Sequence, residues 1–112
     1  MITLLLLPVV VAAQASRLPQ YARTFQLNAT ADTSANVSIG DLNGDGKLDI
    51  LLVNGRHWGG RSIVMLGDGH GHFPTAYPLT PDRYRSYSGR LVDLGGDGDL
   101  DVVLSNDSPT PN

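Results

Sequence analysis

The sequence predicts an all-β fold of repeated antiparallel units. Three features carry that prediction: an internal repeat, short runs of strand formers punctuated by glycine and proline, and the lack of a helical period beyond the first residues. Residues 37–54 read VSIGDLNGDGKLDILLVN and residues 89–106 read GRLVDLGGDGDLDVVLSN. At an offset of 52 they agree at nine of eighteen positions: Asp41, Leu42, Gly44, Asp45, Gly46, Leu48, Asp49, Leu52 and Asn54. A period near 50 is the size of one four-stranded β-propeller blade. Phe25 and Phe73, each shortly before one of these segments, give a weaker echo of the same period.

Each element follows from local composition. Val37–Gly40 and Arg90–Val92 are apolar-leaning runs that lead into Asp-rich loops, and Ile50–Val53 and Val102–Leu104 leave those loops. Continuous β-branched and aliphatic runs of this length are expected of buried strands. Ser62–Leu66 is a third strand, Gly67–Gly71 a glycine-rich turn, and Phe73–Leu79 a fourth strand interrupted by Pro74 and Pro78. Proline removes a ladder donor, so the fourth strand belongs at an outer edge. Residues 80–88 read as a polar connection, within which Arg83–Tyr87 is expected to be solvated, with a contact surface as the alternative, and Tyr21–Leu27 reads as the outer strand of a preceding unit.

Residues 1–15 have the apolar run and the small-x-small ending (Ala13-Gln14-Ala15) of a secretory signal peptide. The run is too short to span a bilayer comfortably, although the missing basic start leaves an uncleaved anchor as the alternative. The expected organisation is a signal peptide at 1–15, an outer strand and linker at 16–36, a complete unit at 37–88, and the first half of another at 89–112. Such a chain would be secreted or held in the cell envelope. It would keep no stable membrane span, and its open faces would need further blades, from a longer chain or from other copies.

Every one of the eleven acids is an aspartate, and seven of them lie in 41–49 and 93–101. With Lys47 these two segments carry −6, and the remaining four Asp and seven Arg carry +3, which gives the net −3. The negative charge belongs to two loops, and no basic stripe of a nucleic-acid binder exists. Cysteine is absent, so a thin exported domain is left with metal as its staple.

The segment Asp41-Leu-Asn43-Gly-Asp45-Gly-Lys47-Leu-Asp49 places side-chain oxygens at positions 1, 3, 5 and 9, with the Lys47 carbonyl at position 7. Ca²⁺ takes six to eight hard oxygen ligands, a number these groups and water can supply. The competing readings are Asp/Gly turns that bind nothing, and an EF-hand or dockerin loop. The latter needs an acid at position 12 and flanking helices. Position 12 is Leu52 in one copy and Leu104 in the other, with strands following both.

Together, the Asp loops, the strand ending at Asn54 and the Gly67–Phe73 hairpin resemble FG-GAP/VCBS repeats, the blades also used by integrin α-chain propellers. The resemblance spans residues 25–106. It implies a partial β-propeller of four-stranded antiparallel blades whose loops hold structural calcium. The implied ligands are Asp41, Asn43, Asp45, Lys47 (carbonyl) and Asp49, then Asp93, Asp97, Asp99 (carbonyl) and Asp101. Gly95 stands where Asn43 does in the first loop, so the second loop lacks one ligand.

His70 and His72 alternate with glycine and read as a hairpin turn; two imidazoles alone are weak grounds for zinc. Trp58 is expected to cover a blade edge, with a sugar-stacking platform as the alternative. Asn28, Asn36 and Asn106 open N-x-Ser/Thr sequons. No catalytic constellation is present. The expectation is a non-enzymatic binding, adhesion or scaffold module whose partner is an extracellular protein or a glycan. The alternative is a blade fragment accessory to a secreted carbohydrate-active enzyme.

Overall fold

A computed structural model describes Leu27 and residues 32–107. The expected signal peptide at 1–15, Phe25, the Asn28 sequon and all of the expected Tyr21–Leu27 strand except Leu27 lie outside the described residues. The described chain is all-β: β1 (Ser34–Gly40), β2 (Asp49–Asn54), β3 (Ile63–Leu66), β4 (Thr75–Pro78), β5 (Arg85–Val92) and β6 (Asp101–Asp107). The first four strands form one antiparallel sheet in the order β1-β2-β3-β4, and β5 and β6 form a second, antiparallel pair.

The continuous apolar run of β2 is buried on both faces of its sheet. Leu51 and Val53 join Val64 on the face that receives Leu91, Val102 and Leu104 from the second sheet. Ile50 and Leu52 turn the other way and join Met65, with Leu27, Ile63 and Phe73 against them. Each such side chain removed from water contributes about 1.5–3 kcal/mol, so β2 is the axis of the core. β4 is exposed along its whole length. It sits at the edge of the sheet, with Pro78 opposite Ile63, where the prolines put it.

Two strands begin earlier than their apolar content indicates. β1 starts at Ser34 and β5 at Arg85, and each carries a bulge, at Ser34/Asn36 and at Ser86/Ser88. A bulge gives one strand an extra residue and hides its polar start from a period-two reading. The hydroxyl of Ser34 donates to Asn54 Oδ1 at 3.0 Å, and that of Ser86 to Asn106 Oδ1 at 2.7 Å. The repeat therefore extends upstream to Ser34 and Ser86, which are also 52 apart.

The segment Arg83–Tyr87 is consequently not a solvated connection. Tyr84 and Gly60 exchange backbone hydrogen bonds at 2.9 Å, and Arg56 N donates to Ser86 O at 3.0 Å. Arg83 Nε donates to Gly59 O at 2.9 Å and its guanidinium lies 3.6 Å from Asp32. Ser86 is buried. Trp58 also departs from expectation: at 74 % exposed it covers no blade edge.

Candidate metal-binding loops

Between β1 and β2 the chain curls around the carboxylate of Asp41. Its Oδ1 accepts the N–H groups of Gly44 (2.8 Å) and Asp45 (3.2 Å), and its Oδ2 accepts that of Gly46 (2.7 Å). The curl needs positive φ at Gly44 (73°) and Gly46 (79°), where a side chain would be strained. The loop between β5 and β6 repeats this bond for bond. Asp93 Oδ1 accepts Gly96 N (2.6 Å) and Asp97 N (3.2 Å), and Oδ2 accepts Gly98 N (2.9 Å).

The last aspartate closes each loop. Asp49 Oδ2 accepts Leu42 N at 2.8 Å, and Asp101 Oδ2 accepts Leu94 N at 3.0 Å. The two then differ. Asp49 is fully buried, and its other oxygen accepts Gly67 N at 2.9 Å, tying the loop to the β3–β4 turn. Asp101 is exposed. Asn43 Oδ1 accepts Asp45 N at 3.1 Å, a bond that Gly95 cannot make. Lys47 N donates to Asp45 Oδ1 at 2.9 Å and its ammonium lies 3.4 Å from Oδ2. These contacts, the backbone bond first, hold the Asp45 carboxyl below the usual range. The Gly98 N–H does the same for Asp93.

A third turn, at Gly67–Gly71, uses the same device. Asp68 Oδ1 accepts His70 N (2.7 Å) and His72 N (3.2 Å), while Oδ2 lies 3.0 Å from His72 Nδ1. The His70 N–H, foremost among these contacts, takes the Asp68 carboxyl down to about 2. The histidines therefore decorate an Asp-centred hairpin turn.

The sequence model of the FG-GAP-like repeat matches residues 41–104, from the first loop aspartate to the middle of β6. This chain belongs to the FG-GAP-like repeat family. No curated protein and no solved structure gives a significant match. The FG-GAP-like match starts on the loop that curls around Asp41 and takes in both loops and the hairpin between them.

The residues expected to bind metal are thus gathered into two equivalent loops, but their side chains face the loops' own N–H groups. Among the described residues no three His, Cys, Asp or Glu side chains form a metal-holding cluster. The donor set still suits a hard cation. It is all oxygen, and a carboxylate oxygen that accepts one N–H keeps a second lone pair. Asp45 and Asp97 are exposed on the loop surface. The sequence reading missed the Ser34–Asn54 and Ser86–Asn106 bonds, although Asn54 is one of the nine repeated positions. It also missed the buried link from Asp49 to Gly67, which no local pattern signals.

Proposed function

We propose that this FG-GAP-like chain is a calcium-binding β-propeller module of an exported protein, acting in binding, adhesion or scaffolding and not as an enzyme. One observation carries the reading: two loops 52 residues apart fold around their first aspartate with the same hydrogen bonds, although Asn43, Lys47 and several neighbours differ between them. Three acids stand close together in one loop and four in the other, with the repulsion that entails, and a cation among them would relieve it.

Asp41, Asn43, Asp45, the Lys47 carbonyl and Asp49 would hold the first ion. Asp93, Asp97, the Asp99 carbonyl and Asp101 would hold the second. The ion supplies charge neutralisation and a fixed loop shape, which sets the spacing of the strands on either side. Calorimetric titration of calcium into the chain and into the Asp41→Ala/Asp93→Ala variant is the test. Saturable heat that the double substitution abolishes supports the proposal; equal heats, or none in either protein, refute it.

One observation favours the accessory-unit reading. Trp58 stands exposed on a turn bonded at one end to Ser86 of β5 and at the other to Tyr84 just before it, with Trp58 N bonded to Gly55 O at 3.0 Å. An exposed indole on a rigid turn offers a flat apolar face to a pyranose ring. A glycan array comparing the chain with Trp58→Ala tests it: binding lost in the variant supports the reading, and no binding by either protein removes it.

A further inference from the structure

Two Asn-Gly pairs stand in the sequence, Asn43-Gly44 and Asn54-Gly55. In such a pair the backbone nitrogen of the glycine can attack the asparagine side-chain amide, because no side chain on the second residue stands in its way. In an unfolded chain the two pairs are chemically alike. The fold sets them in opposite surroundings.

Asn54 ends β2 and is fully buried. Its Oδ1 accepts the Ser34 hydroxyl at 3.0 Å, and its Nδ2 donates to Arg61 O at 2.9 Å. Gly55 N, the attacking atom, donates to Thr33 O at 2.8 Å. A Cβ built on Gly55 would meet Tyr84 O at 2.5 Å and Ser86 N at 2.6 Å, so backbone encloses this glycine. Freeing the pair requires the start of β1 to leave β2.

Asn43 is exposed on the loop between β1 and β2. Its Oδ1 accepts Asp45 N at 3.1 Å, and its Nδ2 donates to Asp45 Oδ2 at 3.3 Å. Gly44 N donates to Asp41 Oδ1 at 2.8 Å. Each of these partners lies two or three residues away on the same loop. A Cβ built on Gly44 would meet nothing within 4 Å. Segments held by exposed local bonds open at little cost, whereas buried strands open only at a cost near that of global unfolding.

We propose that Asn43 is a site of spontaneous deamidation in the folded chain and that the fold protects Asn54 from the same reaction. Once the loop opens, Gly44 N loses its proton and bonds to Asn43 Cγ. The Cγ–Nδ2 bond breaks, and ammonia leaves with that proton. Water then opens the cyclic imide. Cleavage at Cγ gives aspartate, and cleavage at the backbone carbonyl carbon gives isoaspartate. One water is consumed, one ammonia is released, and nothing is oxidised or reduced. Aspartate at position 43 turns the hydrogen bond to Asp45 into a pair of like charges. Isoaspartate lengthens the backbone by one methylene and shifts the N–H groups of Gly44, Asp45 and Gly46 relative to Asp41. Gly95 stands at this place in the second loop, which cannot react, so the two equivalent loops diverge as the protein ages. The inference stands on hydrogen bonds and burial and is independent of calcium.

Peptide mapping of the full 112-residue chain tests it, after incubation at mildly alkaline pH with a chelator present. Trypsin cuts after Lys47 and Arg56, which puts Asn43 and Asn54 on separate peptides. Tandem mass spectrometry then reads the mass gain of amide-to-acid conversion at each asparagine. The folded chain is expected to convert Asn43 at least about tenfold faster than Asn54. In concentrated urea the two should convert at similar rates, because only the fold separates them. Equal rates in the folded chain, or a gap as wide in urea as in buffer, overturn the inference. So does isoaspartate that forms without a mass gain while Asn43 stays intact, which would place the reaction at the Asp-Gly pairs 45–46, 68–69 or 97–98.

Discussion

Replacing Asp49 with alanine separates the structural work of the loop from any work done by metal. The Asp49 carboxylate is fully buried and accepts Leu42 N at 2.8 Å and Gly67 N at 2.9 Å. Hydrogen bonds to a charged acceptor contribute roughly 1.5–3 kcal/mol each, and a buried donor left without a partner costs about 1–3 kcal/mol. Losing both bonds should therefore cost about 3–5 kcal/mol. That is a large part of the stability expected of a domain this small. At the equivalent position Asp101 is exposed and makes one such bond, at 3.0 Å. Asp101→Ala should cost no more than about 1 kcal/mol. The assay is urea unfolding followed by circular dichroism in the presence of a chelator, so that calcium contributes to neither value. Equal losses for the two variants would refute the claim that Asp49 pins the loop to the β3–β4 turn.

Other predictions extend the account. Calcium should bind the 41–49 loop more tightly than the 93–101 loop, because Gly95 offers no side-chain oxygen where Asn43 does. Calorimetry on Asp45→Ala and Asp97→Ala resolves the two sites, and loss of the tighter phase in the Asp97 variant reverses the order. Calcium at a hundredfold excess over Kd should stabilise the fold by about 2.7 kcal/mol per site, and identical melting temperatures in EDTA and in millimolar calcium would count against binding. Asp68 has its carboxyl lowered to about 2, below the ordinary unfolded value of about 3.9. Its contribution is thus present above about pH 4 and lost as pH falls towards 2. Melting temperature measured across that window should fall less steeply in Asp68→Asn than in the wild-type chain, and parallel curves would exclude this role. Ser34→Ala and Ser86→Ala remove equivalent bonds to Asn54 and Asn106, and each should lower stability by about 1 kcal/mol; a loss in neither would show that the repeated bonds are incidental.

The sequence was most informative where one residue type has one use. Asp and Gly at fixed spacing located both loops, and the alternation of proline with β-formers put β4 at the edge. The bulges at Ser34/Asn36 and Ser86/Ser88 were not legible, because their strands open with polar residues whose order depends on Asn54 and Asn106, some twenty residues away. Arg83–Tyr87 misled for the same reason. Its charges look solvated, yet its backbone is bonded to the Gly55–Gly60 turn. The exposure of Trp58 depends on how that turn is pinned, which local composition does not encode. Buried links such as Asp49 to Gly67 join segments that carry no mutual signal in a single sequence.

Calcium at the two loops is the central claim, and backbone amide NMR tests it most directly. The N–H groups of Gly44, Gly46, Gly96 and Gly98 point at Asp41 and Asp93, so an ion among these carboxylates must change their shifts. The account predicts saturable calcium-dependent shifts at all four glycines, with Gly69 and Gly71 of the Asp68 turn unmoved. Spectra that do not change with calcium, or that change only at the Asp68 turn, would contradict it.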